Sequence, residues 1–498
     1  MEDVYLVIAL IILAVLVAMT FLGTAFDLYR NHSILFDATY SARSFTARSI
    51  RSGSIFSTTS MTNAAAIVNP STNPNSPPGS YGTTAEMDML KIQDQLQNQS
   101  TINQLLLCFS LFRNLSQHYA ISLQDTNDVK PIFGLKTLAT FGVIWVNSVK
   151  LAWLKTEPQA DDFDLLRYKI VFLCTSMLLT ISVSMNTFGN MERKYEGTFR
   201  YFWYVFKRMA RLLPNYIITI LFVTGIVGRC QNPNTIQTTG LVHSCQDDLW
   251  QNLLFINNFF QKSLDHMKCL PQTWYIAANF QLWIFTPIVW HAFFVYPKIT
   301  ITILACSGFI QMTAAVALSI AVNDFNFFEY FAYQPYFQLP AWGFGLIAGF
   351  LLCNQKVPGL GKKSQCALWS AELLFIVIPF WSILFGVISA DILVDILVII
   401  SPVFVALCIA YLGSGYGGVL NDFLSHPFWV LASHSSYSTL LWHWVFINWV
   451  GARATEFMSA NILHAFMFSV GCYFCSIALS IWIEAPFREM MKIKRPYI

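Results

Sequence analysis

Two polar residues, Lys136 and Asn147, interrupt the apolar stretch FGLKTLATFGVIWVNSVKLAW. A helix turns by about 100° and rises about 1.5 Å per residue, so their spacing places them on one face, about 16 Å apart. A lysine can hold an anionic group, and an asparagine amide can orient or polarise a substrate. Because such groups are costly among lipid, they must face protein or water, and they form a functional-site candidate.

A third candidate is His443, which lies in the apolar string LLWHW. An imidazole titrates near neutrality and can therefore act as a general base. An ionisable residue within a membrane span indicates a site. The alternative is a hydrogen-bonded core histidine with no chemical role.

The composition indicates the elements that must position these residues. Of the 498 residues, 55% are hydrophobic and only 11% are charged, whereas soluble domains carry about 25% charged residues. The mean hydropathy of +0.51 also predicts an all-α polytopic membrane protein. We expect no nucleic-acid partner, since the basic residues serve as topology signals. The apolar runs predict about 11 spans, at 4–26, 133–153, 168–188, 212–228, 275–295, 298–322, 338–353, 367–387, 389–412, 435–451 and 462–484.

The predicted organisation has four parts. Residues 1–26 form an N-terminal transmembrane helix, and 130–485 form a ten-helix membrane domain. The segment between them, 27–129, is a cytosolic loop, largely disordered because its Ser, Thr and Pro residues cannot form a core. Residues 486–498 are a basic cytosolic tail.

The basic residues also predict the orientation in the membrane. Lysines and arginines near span ends mark the cytosolic side, and here they cluster at Arg30–Arg51, Arg193–Arg211, Lys356–Lys363 and Arg488–Arg495. All four clusters share one side if the N-terminus is lumenal or outside and the C-terminus is cytosolic. The endoplasmic reticulum is the preferred location, with the plasma membrane as the alternative.

Six strings of the sequence occur in a characteristic order: LLLCFSLFRN, KRMARLLPNY, CQDDLWQNLLFINNF, CLPQTWYIAANFQLWIFTP, SYSTLLWHW and IEAPF. In this order they resemble the acyltransferase-3 membrane family, in its animal branch of nose-resistant-to-fluoxetine-like proteins. The resemblance covers about residues 105–490, and GTAFDLY (Gly23–Tyr29) extends it to the first span. Animal members often begin with a secreted Cys-rich domain; this sequence is similar to short members without it, one of which regulates the hypoxia-inducible factor.

The resemblance implies an acyltransferase-3-like bundle whose cavity opens to cytosolic acyl-coenzyme A and to an outer acceptor. The family signature is an Arg followed eleven residues later by a His, the general base, and here these positions are Lys136 and Asn147. Lysine lacks the bidentate guanidinium fork, and asparagine cannot take up a proton. An acid near Asn279 and an Arg near Gln338 are also expected from the family, and both are amides here.

Further binding residues are expected around the cavity. Lys207, Arg208 and Arg211 are suited to the phosphates of the acyl donor, with plain cytosolic anchoring as the alternative. Trp274 and Tyr275 are expected to shape its outer mouth.

The outside loop contains Cys230, Cys245 and Cys269. An extracytoplasmic compartment permits disulfides. The preferred pair is Cys245–Cys269, and three free thiols are the alternative.

Two functions follow from these expectations. The first is an enzyme that moves an acyl group from acyl-coenzyme A, as co-substrate, to a small-molecule, lipid or glycan acceptor, with His443 as its base. The second is a pseudoenzyme with reduced or altered catalysis that binds lipid or acyl donor in signalling or lipid handling, and the substitutions favour it. No metal and no tightly bound cofactor are expected, the partners are membrane lipid and the acceptor, and protein partners stay unknown.

Overall fold

The chain folds as an all-α, multi-pass integral membrane protein, as its composition predicts. The structure, a computed structural model, describes residues 2–51, 101–124, 129–153, 161–192, 201–227, 245, 247–260, 269–322, 333–354, 357, 359, 361–371, 391–453 and 462–491. Regular structure in these ranges is helical, without a β-strand. Nine helices in the same ranges are long and apolar enough to cross a membrane.

Besides a helical segment at residues 362–371, the described part of the chain contains seventeen α-helices, with short 3₁₀ and π turns between some of them. They are α1 Glu2–Arg51, α2 Thr101–Cys108, α3 Leu111–Gln124, α4 Lys130–Trp153, α5 Asp161–Glu192, α6 Tyr201–Leu221, α7 Leu249–Leu253, α8 Asn257–Phe260, α9 Trp274–Val295, α10 Pro297–Val322, α11 Leu339–Cys353, α12 Asp391–Gly413, α13 Val419–Leu424, α14 Pro427–His434, α15 Ser436–Arg453, α16 Ile462–Leu479 and α17 Ala485–Met490.

Two predicted spans, 367–387 and 435–451, are not among the nine. Most of the first falls on residues 372–390, outside the described part of the chain. The second corresponds to α15, a helix of 18 residues that mixes polar and apolar side chains. The span predicted at 212–228 begins earlier, because α6 starts at Tyr201. The basic residues Lys207, Arg208 and Arg211, which precede the predicted span, therefore lie within this helix.

The predicted loop 27–129 is helical at both of its ends. Helix α1 continues to Arg51, and α2 and α3 occupy most of 101–124. The Ser-, Thr- and Pro-rich sequence on which the prediction depended is concentrated in 52–100, which lies outside the described residues.

The chain divides into two compact units, Met1–Leu16 with Asn114–Arg488, and Val17–Arg113 with Glu489–Ile498. In the second unit, two strings of the family resemblance pack together. The Ser110 hydroxyl donates to the Asp27 carboxylate at 2.6 Å, and the Leu111 amide donates to the Thr24 hydroxyl at 3.1 Å. A Cβ at Gly23 would clash with the Leu106 carbonyl, so glycine permits this close approach.

In the first unit, α5 packs against α4, α11 and α12. Helix α11 approaches α5 closely through Gly345 and Gly349, one turn apart. A Cβ at Gly345 would lie 2.7 Å from the Thr180 carbonyl oxygen, and one at Gly349 would clash with the Ser184 carbonyl oxygen. Small residues spaced in this way let membrane helices pack backbone to backbone.

Gly349→Ala should therefore destabilise the protein by about 1–3 kcal/mol, because the added methyl must displace backbone of α5. Gly343→Ala on the same helix is the matched control, since its Cβ would find the nearest neighbour at 3.8 Å. Thermal unfolding of the purified protein in detergent compares them. Equal melting temperatures for the two variants would contradict this account of the α5–α11 contact.

Candidate functional site

A cavity of about 260 Å³ lies among α4, α5, α6, α9 and α15. Three cationic side chains line it: Lys136 from α4 and Arg208 and Arg211 from α6. None of the described residues that line it is Asp, Glu or His. The cavity is therefore positively charged and suited to an anion.

Lys136 is fixed by the end of a neighbouring helix. Its ammonium donates to the Ser433 carbonyl at 3.1 Å, in the last turn of α14. Carbonyls in the last turn of a helix lack intrahelical partners and attract cations. An ammonium has three N–H donors, so this bond leaves donor capacity for a ligand.

Arg208 is placed by an aromatic side chain. Its guanidinium carbon lies 3.2 Å above the centre of the Trp283 ring, a cation–π contact that holds the planar group in one orientation. Among the described residues, neither the Arg208 Nε nor the Trp283 Nε1 has a hydrogen-bond partner. Both N–H groups are donors, so a bound anion could satisfy them.

Arg211 connects the cavity to a buried carboxylate. One nitrogen of Arg211 lies 3.5 Å from Glu484, whose side chain is 1% exposed while that of Arg211 is 48% exposed. Glu484 also accepts hydrogen bonds from Ser438 at 2.9 Å and from Ser480 at 3.3 Å. The carboxylate is thus compensated inside the bundle, and it orients Arg211 at the cavity.

The same network continues through Asn215. Its amide nitrogen donates to the Ser438 hydroxyl at 2.9 Å, and its amide oxygen accepts from the Trp442 indole at 3.0 Å. Arg211 and Asn215 belong to the string KRMARLLPNY, Ser438 and Trp442 to SYSTLLWHW, and Glu484 to IEAPF. Three strings distant in sequence therefore meet in one hydrogen-bonded framework.

Two further strings form a second framework around the disulfide Cys245–Cys269. The amide oxygen of Asn252 accepts from the Tyr216 hydroxyl at 2.8 Å and from the Thr273 hydroxyl at 3.3 Å. This framework positions the start of α9, which carries cavity-lining residues. Cys230, the remaining cysteine of the predicted loop, lies outside the described residues.

Asn147 contacts His443, but at a different place from the cavity. The Asn147 Nδ2 lies 3.4 Å from the His443 Nε2, and the Asn147 oxygen accepts from Arg167 at 3.1 Å. All three residues are buried, and none lines the 260 Å³ cavity. The residues predicted as catalytic therefore divide, with Lys136 in the cavity and Asn147 with His443 in a separate polar cluster.

The two places are close along α15. The His443 Nδ1 lies 2.9 Å from the carbonyl oxygen of Leu440, and Leu440 is itself a lining residue of the cavity. One helical turn thus separates the cationic cavity from the imidazole.

Two of the other predicted binding residues lie at the cavity. Tyr275 and Asn279 line the cavity. The Asn279 nitrogen donates to the Tyr275 hydroxyl at 3.3 Å, and the Asn279 oxygen has no partner among the described residues.

Three other predicted residues lie away from the cavity: Trp274, Gln338 and Lys207. Trp274 is buried against Tyr333, the Gln338 oxygen accepts from Ser176, and Lys207 is exposed.

Sequence reasoning missed Arg167, Trp283 and Asn215. Arg167 lies one residue before the predicted span 168–188, and α5 extends the helix back to Asp161. Trp283 lies in the string CLPQTWYIAANFQLWIFTP, and Asn215 lies in KRMARLLPNY. The sequence does not indicate their role, because their partners lie on other helices. Within the described ranges, no group of three or more His, Cys, Asp and Glu residues is placed to hold a metal ion.

A short segment of the chain is similar to a known protein. No protein-family model matches the chain, and no solved structure matches it. The curated relative "Nose resistant to fluoxetine protein 6" of Caenorhabditis elegans is 34% identical over 85 residues, which is 16% of this chain. The matched segment spans about a tenth (10%) of that relative's length, and over this segment the chain is similar to a nose-resistant-to-fluoxetine protein.

Proposed function

We propose that this chain is a nose-resistant-to-fluoxetine-like member of the acyltransferase-3 family that binds the anionic part of an acyl donor in its cationic cavity. The observation that carries this proposal is the convergence of Lys136, Arg208 and Arg211 on one cavity, whose described lining residues include no Asp or Glu. Acyl-coenzyme A is the donor we propose, because its phosphates match clustered cations.

The size of the cavity supports partial enclosure of that ligand. Sites that enclose drug-sized ligands measure about 300–1,000 Å³, and this cavity measures about 260 Å³. It would hold a phosphate with adjoining atoms, while the acyl chain extends into the surrounding membrane.

Catalysis at this cavity is reduced or altered in our proposal. Its described lining contains no carboxylate or imidazole to act as a general base, and Asn147 cannot accept a proton. We infer a role in signalling or lipid handling that depends on the binding of acyl donor or lipid in the cavity and not on its chemical conversion.

Binding of labelled acyl-coenzyme A to the purified full-length protein tests the proposal. Lys136→Gln and Arg208→Gln should each weaken binding about tenfold or more, because a hydrogen bond to a charged group contributes about 1.5–3 kcal/mol. Lys207→Gln is the matched control: this exposed lysine adjoins Arg208 but does not line the cavity. Equal losses in all three variants, or no saturable binding to the wild type, would overturn the proposal.

The second candidate function is an active acyltransferase with His443 as its base. It is favoured by the contact between His443 Nε2 and Asn147, the position where the family places its histidine. In the same preparation, thioester loss that is abolished by His443→Ala would support this candidate. Binding without turnover would exclude it and leave the binding role.

The proposal also includes the location of the protein, its orientation in the membrane and its acceptor. We place the protein in the endoplasmic reticulum, with a lumenal N-terminus, a cytosolic C-terminus, and membrane lipid or a small molecule as acceptor. A C-terminal epitope that antibodies reach only from the lumenal side of isolated microsomes would contradict this orientation.

A further inference from the structure

A chain of hydrogen bonds connects three helices in the polar cluster outside the cavity. Arg167 donates to the Asn147 oxygen at 3.1 Å. The Asn147 nitrogen donates to the Val143 carbonyl at 2.9 Å and lies 3.4 Å from His443 Nε2. The His443 Nδ1 lies 2.9 Å from the Leu440 carbonyl and 3.2 Å from that of Thr439.

The two ends of this chain determine the direction of every bond between them. A guanidinium only donates and a carbonyl only accepts. Arg167 must therefore face the oxygen of Asn147, so the amide nitrogen faces His443. At the other end, His443 must donate from Nδ1 to the Leu440 carbonyl. Nε2 then carries the lone pair and accepts from the Asn147 amide.

We propose that Arg167 is a positioning residue for His443: by fixing the orientation of the Asn147 amide, it keeps Nε2 as the unprotonated nitrogen of the ring. A proton on Nε2 would point at the amide N–H of Asn147. The bond from the Asn147 nitrogen to the Val143 carbonyl favours the same orientation, so Arg167 supplies one of two bonds that hold the amide. Without Arg167 the amide would lose one of these bonds, and an amide rotated by 180° would present its oxygen to a protonated Nε2.

Whether Nε2 carries a proton determines what chemistry His443 can perform. An unprotonated Nε2 can accept a proton from a hydroxyl that displaces the Asn147 amide, whereas a protonated Nε2 cannot. This inference concerns the ring itself and does not depend on anion binding in the cavity. A failure of acyl-coenzyme A binding would therefore leave it intact.

Nitrogen NMR of the full-length protein, labelled at histidine and held at one neutral pH in detergent, tests the inference. The signals of His443 are identified by their loss in His443→Gln. In the wild type, Nε2 should give the resonance of an unprotonated ring nitrogen. Arg167→Met should remove part of that signal, and Arg167→Lys, which keeps a donor, should restore it.

A second variant keeps the test decisive if Arg167→Met fails to fold. Asn147→Asp replaces the donor with a carboxylate that accepts from both Arg167 and the ring. We expect loss of the unprotonated Nε2 signal in this variant. A protonated Nε2 in the wild type would overturn the inference, as would an unchanged Nε2 in folded Arg167→Met or Asn147→Asp. If Arg167 had a purely structural role, Arg167→Met would alter the stability of the protein without changing which nitrogen of His443 is protonated.

Discussion

Arg208→Glu should reduce the affinity for acyl-coenzyme A by at least about 100-fold. The substitution removes a charged hydrogen-bond donor, which contributes about 1.5–3 kcal/mol. It also places a carboxylate beside the bound phosphate, and like charges held close together cost several kcal/mol more. Since about 2.7 kcal/mol corresponds to 100-fold in affinity, binding should fall below detection in an assay that measures the wild type well.

Lys207→Glu is the control for charge alone. It changes the net charge by the same amount at the adjacent position of α6, but its side chain is exposed and does not line the cavity. Salt screens exposed charges, so its effect should stay within about threefold. Similar losses in the two variants would mean that net surface charge, and not the cavity, attracts the ligand. Size-exclusion chromatography of both proteins verifies that they remain folded.

Asn215→Leu should destabilise the protein by about 2–4 kcal/mol. Asn215 is 1% exposed and holds both Ser438 and the Trp442 indole. Leucine can make neither bond, and each buried polar group left without a partner costs about 1–3 kcal/mol. Because Ser438 also holds Glu484, the orientation of Arg211 at the cavity should be disturbed as well. Thermal unfolding in detergent measures the loss of stability.

Asn354→Leu is the comparison for this second prediction. Asn354 is exposed at the end of α11, where the amide bonds the Phe350 carbonyl. Its replacement should change stability by no more than about 0.5 kcal/mol, the usual range for surface substitutions. If Asn215→Leu unfolds at the temperature of Asn354→Leu, the network around Glu484 contributes nothing measurable to the fold.

The class of fold was predictable because hydropathy acts over whole spans and needs no knowledge of tertiary partners. The shared helix face of Lys136 and Asn147 followed from helical geometry in the same way. Their separation into a cavity and a distinct cluster did not follow, because it depends on which helices lie beside each turn of α4. Arg208, Arg211, Tyr275 and Asn279 line the cavity with Lys136.

Contacts between distant residues account for most of what the sequence could not indicate. Arg167 lies beyond the hydropathy-defined end of its span, yet its long side chain reaches Asn147. In the sequence, Gly345 and Gly349 are ordinary members of an apolar run. Their importance depends on the Thr180 and Ser184 carbonyls, which lie beside them in the fold. Three of the six strings are bonded to one another through Asn215, Ser438 and Glu484, and these bonds support the framework. The strings alone do not indicate them.

The most direct test of the central claim is photo-crosslinking with an acyl-coenzyme A analogue that carries a photoreactive group beside its phosphates. Mass spectrometry of the labelled full-length protein would identify the attached residues. The account predicts saturable labelling in the segments of α6 and α9 around Arg208 and Trp283, lost on competition with unlabelled acyl-coenzyme A and in Arg208→Glu. Labelling confined to segments away from the cavity, or labelling that persists in Arg208→Glu, would contradict it.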